Sequence, residues 1–213
     1  MRHPFFRTGH ISSARVEAFS DGVMAVAITL LVLEVKVPAE LRAEKELWMA
    51  VGHVLPALRA WAVSFAFVLT FWVNHNYFFA SLKHTDRGLL WLNGLFLLTV
   101  NLIPFPTAMV GEYPAFTAPL ALLSGTMMAT SLSFAVMRLY ASYHGQLLRD
   151  HIDSKQAKRG MIQSGVAPAL YAVAVAVAFV WPPGSIAIQI GVLVLFFLRS
   201  PIRHVNDERA IER

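Results

Sequence analysis

The sequence predicts an all-α integral membrane protein. Six transmembrane helices form one domain over residues 1–213, with both termini on the cytoplasmic side. Three observations carry this. Hydrophobic residues make up 56% of the 213, and charged residues only 15%, against about 25% in a soluble domain. Apolar runs long enough to cross a bilayer recur from end to end. Lysine and arginine gather in alternate connections between those runs. The sequence contains no cysteine, which excludes a disulfide framework and a thiolate metal site.

The first run, 16–37, lies within "RVEAFSDGVMAVAITLLVLEVKVP". Polar residues precede it and no small-residue cleavage site follows, so it reads as a retained helix rather than a signal peptide. The second, 47–80, would be about 50 Å long as a helix, more than a bilayer of about 30 Å needs. Its opening turns, "ELWMAVGHVLP", are expected in the interface, with Pro56 as a candidate kink. The third run is 88–111, with Pro104 and Pro106 able to break it near its outer end, and the fourth is 116–143. The fifth, 161–181, and the sixth, 184–199, form a hairpin through "WPPGS", where Pro182, Pro183 and Gly184 are expected to interrupt the helix.

Charge then orients the chain. Arg2, Arg7 and Arg15 precede the first span. Lys83 and Arg87 join the second to the third. Arg149, Lys155, Lys158 and Arg159 join the fourth to the fifth, and Arg199, Arg203, Arg209 and Arg213 follow the last. On the other side, Lys36, Arg42 and Lys45 are diluted by Glu34, Glu40, Glu44 and Glu46, and Glu112 stands in the next loop. The positive-inside rule puts both termini in the cytoplasm. The net charge of +5 is thus a topology signal, and nucleic acid is not an expected partner.

The first helix has two characters when read at 100° per residue. With Val26 at zero, Gly22, Thr29, Leu30 and Leu33 fall within about 60° of it, and Phe19 and Arg15 continue the stripe inward. Asp21 falls about 140° away, and Ser20 about 120° to the other side. A carboxylate in a membrane helix is costly, about 2.5–3.5 kcal/mol at the centre and less near an end. Asp21 lies about 9 Å beyond Arg15 and needs partners at that depth. The second helix, returning inward, carries Trp72, Asn74, His75 and Asn76 in "FWVNHNYFF", and the third carries Asn93 six residues after Arg87. Trp72 and His75 are three apart and share a face. Hydrogen bonds from these donors to Asp21 and Ser20 would set the register of the first helix. A proton relay through His75 is the functional alternative, because imidazole titrates near neutrality. Ala25 and Ala27 are expected to flank the buried side and permit close packing.

"RVEAFSDG", Arg15 to Gly22, resembles the R-x-x-x-F-S-D-G signature of the endolysosomal potassium channels of animals and their bacterial homologues. "VMAVAITLLVLE" resembles that family's pore helix, "FWVNHNYFF" its W-x-x-H segment, and "LLWLNGLFLLTVNLIPFPT" its third helix. From about Phe116 the likeness is only that of hydrophobic helices. The chain holds one F-S-D-G, so it resembles the bacterial form, with one six-helix repeat, and a multi-pass place in the bacterial cytoplasmic membrane follows. The resemblance implies a homotetramer around a central pore lined by the first helix. It implies conduction of monovalent cations favouring potassium, without the T-V-G-Y-G filter and without a cofactor. The family's constriction matches Val26, where other members often carry Ile or Leu. Thr29 matches the threonine that contributes to selectivity, and Leu30 and Leu33 match further layers, so permeant potassium would pass transiently near Val26 and Thr29. Arg15, Phe19, Ser20, Asp21 and Gly22, with Trp72, His75 and Asn93, match the signature and the helix-packing network.

The residues are consistent with such a pore. One chain with one stripe cannot enclose a water-filled path, whereas several copies in a closed ring can. Aliphatic rings stop ions by dewetting, and a hydroxyl ring replaces some hydration. Glutamates near the outer mouth would raise local cation concentration. A secondary transporter is the alternative function, but the halves show no repeat and no proline interrupts the first helix. No H-E-x-x-H, no G-x-S-x-G and no acid cluster at catalytic spacing points to an enzyme. His144 and His151 read as surface residues rather than metal ligands. "VGEY", Val110 to Tyr113, lacks the pore helix and second glycine of a potassium filter.

Overall fold

The structure is a computed structural model, and it describes residues 12–34, 43–143, 147–149 and 154–199. Its regular elements in these segments are helices, with one isolated antiparallel β-bridge between Leu82 and Leu148. The helices are α1 (Ser13–Leu30), α2 (Glu44–Ala80), α3 (Arg87–Leu102), α4 (Pro104–Glu112), α5 (Thr117–Tyr143), α6 (Ser154–Val180) and α7 (Pro182–Arg199). A 3-10 turn, Leu31–Glu34, extends α1. Among the described residues, Glu44–Ala80, Arg87–Glu112, Thr117–Tyr143 and Gly160–Val180 are long and apolar enough to cross a membrane, and Pro182–Phe197 is a shorter apolar helix. α1, at the first expected span, carries Arg15, Glu17 and Asp21 within its first three turns. The basic tail beyond Arg199, the residues 35–42, and His144 and His151 lie outside the described residues.

Prolines set the boundaries, though not all as the sequence suggests. The third expected span divides at Ile103, where Pro104 opens α4. α2 instead runs through Pro56 as one helix. The helix breaks at the expected hairpin, but Pro182 and Pro183 begin α7, so only Trp181 stands between the helices. The reason is positional: the first helical residues have no intrahelical acceptor for their N–H, so proline loses nothing there. The Gly184 and Ser185 N–H groups close the turn onto the Trp181 carbonyl at 2.9 and 3.3 Å. Gly111 of the "VGEY" stretch is a packing residue. A Cβ there would lie 2.6 Å from Ala60 of α2.

α1 packs on α2 and α3, α3 continues onto α5, and α5 makes its largest interface with α6; α7 closes the bundle against α6, α5 and α2. In a bilayer, close packing and interhelical hydrogen bonds hold helices together, since lipid is as apolar as the side chains. Aromatic packing supplies the first. Phe78 and Phe96 meet Phe134 with ring centroids 5.9 and 5.4 Å apart. Small polar residues supply the second. Gln189 of α7 donates to Ser124 of α5 at 2.9 Å, and Ser185 donates to the Ala174 carbonyl of α6 at 2.9 Å. At the basic ends, Asp86 caps α3 through the Leu89 N–H at 2.8 Å, and the Tyr140 hydroxyl of α5 donates to its other oxygen at 2.8 Å. The Lys83 N–H reaches the Leu147 carbonyl at 2.8 Å, tying the two basic connections together.

Candidate functional site

α1 divides lengthwise. Val16, Ser20, Met24 and Ala27 are buried at successive turns, the last three completely. Across the helix, Phe19 is 64% exposed, Val26 52% and Leu33 73%. Arg15, Gly22 and Thr29 are exposed with them, and a Cβ on Gly22 would meet nothing within 4 Å. The Thr29 hydroxyl lies 3.1 Å from the carbonyl oxygens of both Ala25 and Val26, so its proton is turned to its own helix and its oxygen stays on the exposed face. Ala27 lies on the buried side as its spacing suggests, but Ala25 does not flank that side; it is exposed beside Val26. The uncovered face therefore centres between Gly22 and Thr29 rather than on Val26. Leu30 lies outside the described side chains.

The buried face is held by hydrogen bonds from two helices. Trp72 of α2 donates its indole N–H to Asp21 Oδ1 at 2.8 Å. Asn93 of α3 donates from Nδ2 to Ser20 Oγ at 2.9 Å, and Ser20 donates to the Val16 carbonyl at 2.8 Å. His75 Nε2 lies 2.8 Å from Asn93 Oδ1. Because the amide N–H is given to Ser20, Oδ1 is an acceptor and the imidazole proton sits on Nε2. Nδ1 is buried without a hydrogen-bond partner among the described residues. The ring is sandwiched by Phe79 and Phe96, with centroids at 4.3 and 5.5 Å. This geometry holds the imidazole as a fixed donor to Asn93.

The structure thus brings Ser20, Asp21, Trp72, His75 and Asn93 together. It leaves Arg15, Phe19 and Gly22 outside that network, on the same uncovered face as Val26 and Thr29. Asn74 and Asn76, at the right depth by sequence, turn back onto their own helix, to the Thr70 and Trp72 carbonyls at 2.7 and 3.0 Å. Sequence reasoning passed over the Ser124–Ser185–Gln189 cluster and over Arg138 on α5. The signal for Arg138 was a lone cation inside the apolar run 117–143. Among the described residues, no group of three or more histidines, aspartates or glutamates could hold a metal ion.

Known proteins bear on these residues. Residues 15–104, which include both faces of α1 and all its network partners, match the family described as endosomal/lysosomal potassium channel TMEM175. A potassium channel of Streptomyces collinus is 38% identical over 87% of this chain and 91% of its own length. A potassium channel of Chamaesiphon minutus is 35% identical over 88% of this chain and 95% of its own. In three dimensions, the crystal structure of a lysosomal potassium-selective channel TMEM175 homologue from Chamaesiphon minutus superposes with a TM-score of 0.75. It is 33% identical and covers 88% of this chain and 97% of that one.

Proposed function

This chain belongs to the TMEM175 potassium-channel family, and from that premise we propose that it is a potassium-permeable cation channel of the cell membrane, built as a homotetramer around α1. It is a conduction protein rather than an enzyme. The observation that carries the pore reading is the uncovered stripe of Phe19, Gly22, Val26 and Leu33 on a helix whose opposite face is locked to its own protomer. Such a stripe must be covered by lipid or by further copies. Copies arranged in a closed ring would turn it to a common axis.

Val26 then forms the hydrophobic constriction, from which water withdraws before an ion can shed its shell. Thr29, one turn on, presents hydroxyl oxygen that replaces part of the hydration of potassium, and Leu30 and Leu33 form further layers. Six spans, with both termini in the cytoplasm, place Phe19 and Arg15 at the inner mouth. Asp21 and Ser20 act from behind the pore wall, holding α1 in rotation and height.

Planar-bilayer recording of the purified protein under biionic potassium and sodium tests this. The expected result is ohmic single-channel current with a reversal potential favouring potassium. Saturable, ion-coupled uptake without channel events would overturn it in favour of a transporter. Light scattering in detergent should give the mass of four protomers, and a monomer that still conducts removes the tetrameric pore.

A further inference from the structure

Away from α1, the helices α2, α5, α6 and α7 surround a cavity of about 290 Å³. That volume is at the lower end of ligand-binding pockets. Its chemistry is graded along its length. Phe67, Met127 and Val192 form one end and are almost wholly buried. The other end, toward the basic connections, holds Asn74, Arg138 and Gln163. Among the described residues, Arg138 is the only charged side chain in the lining, and no acid is found there.

The guanidinium is seated between α5 and α6. It stands 5.9 Å from the centroid of the Phe134 ring. Gly160 of α6 makes room for it, since a Cβ there would collide with Arg138 Nη2. Among the described residues, no carboxylate pairs with it and no hydrogen bond uses its N–H groups. The Ser131 and Ser164 hydroxyls are turned to their own helices, to the Met127 and Gly160 carbonyls at 2.7 and 2.8 Å. Asn74 keeps one amide N–H beyond the one given to Thr70. The polar end therefore offers N–H donors and a positive charge about 8 Å inside the end of α5. A cation placed there is costly without a counter-charge. A planar guanidinium with amide N–H groups beside it suits the oxygens of a phosphate.

We propose that this cavity binds an anionic phospholipid, with the headgroup phosphate on Arg138, Asn74 and Gln163 and the start of one acyl chain against Phe67, Met127 and Val192. Basic pockets between helices at the cytoplasmic face are suited to such headgroups. The apolar end selects lipid over free phosphate. With a cation and no acid among the described lining residues, the site favours a net anionic lipid over a zwitterionic one, whose ammonium would add a second positive charge.

Native mass spectrometry of the purified full chain tests this with phosphatidylglycerol, phosphatidylcholine and inorganic phosphate. Phosphatidylglycerol should bind about tenfold more tightly than phosphatidylcholine, because both offer a phosphate to Arg138 but only the choline lipid brings a second cation close to the guanidinium. Arg138→Gln should remove that preference. Ala167→Leu, which narrows the cavity wall while keeping Arg138, should weaken both lipids. Inorganic phosphate should show no saturable binding that depends on Arg138. Equal binding of the two lipids by the wild-type protein, an unchanged preference in Arg138→Gln, or phosphate binding as tight as that of phosphatidylglycerol would each overturn the assignment. If Arg138→Gln does not fold, the wild-type lipid ratio and Ala167→Leu decide it. The readout is lipid occupancy, not current, so its failure leaves the channel reading standing.

Discussion

The two faces of α1 share eighteen residues of one helix and follow opposite rules. On the buried face, Ser20 and Asp21 are tied to Asn93 and Trp72 at 2.9 and 2.8 Å. On the other face, Phe19, Val26 and Leu33 are more than half exposed. A helix that carries Asp21 and an apolar stripe together would be poorly placed in lipid if it were free to rotate. The hydrogen bonds remove that freedom, because turning α1 by one residue would orphan the carboxylate, the amide and the indole together. The polar side is thus positional, and the apolar side is free to be functional.

The largest effects should come from breaking the positional side. Asn93→Ala orphans His75 Nε2–H and removes the bond to Ser20, at about 1–3 kcal/mol for each group left unpaired. Asp21→Ala orphans only the Trp72 indole and should cost about half as much. Thermal unfolding in detergent should rank Asn93→Ala below Asp21→Ala, with both losing tetramer and current. If Asp21→Ala assembled normally and changed only ion preference, Asp21 would face the pore and the two faces would have been exchanged.

Substitutions on the uncovered side should leave protomer stability within about 0.5 kcal/mol, as for surface positions. Their effect belongs in the current. Val26→Asn should wet the constriction and raise conductance or make the channel leaky. In the proposed pore Thr29→Val would remove a ring of hydroxyl oxygens, so the biionic reversal potential should move toward zero while conduction persists. An unfolding midpoint that fell as far for Val26→Asn as for Asn93→Ala would mean that this face is buried in the protomer.

The smallest change sharpens the comparison furthest. Gly22→Ala meets no atom within the protomer and should favour the isolated helix by about 0.5–1 kcal/mol. Any loss of assembly or current then reports a neighbouring copy packed against Gly22. A variant indistinguishable from wild type in mass and conductance would show that Gly22 faces open space in the proposed assembly too.

Much of this arrangement was legible along the chain. The apolar runs located the helices, because the cost of unpaired backbone in lipid leaves little else for such runs to do. The 100° step separated Val26 from Ser20 and Asp21, since angles within one helix follow from covalent geometry alone. Counting inward from Arg15, Lys83 and Arg87 put Trp72, His75 and Asn93 at the depth of Asp21. Only the tertiary structure chose among the donors at that depth. Trp72 and His75 reach across to α1 and α3, whereas Asn74 and Asn76 bond to their own backbone, a choice made by the position and rotation of neighbouring helices. It also decided that Ala25 is uncovered while Ala27 is not, and that Pro182 and Pro183 open a helix instead of ending one. Arg138 makes the same point from the far half of the chain. Its charge is visible in the sequence, but the cavity before it exists only where α2, α5, α6 and α7 meet, because spacing along one helix says nothing about the distance to the next.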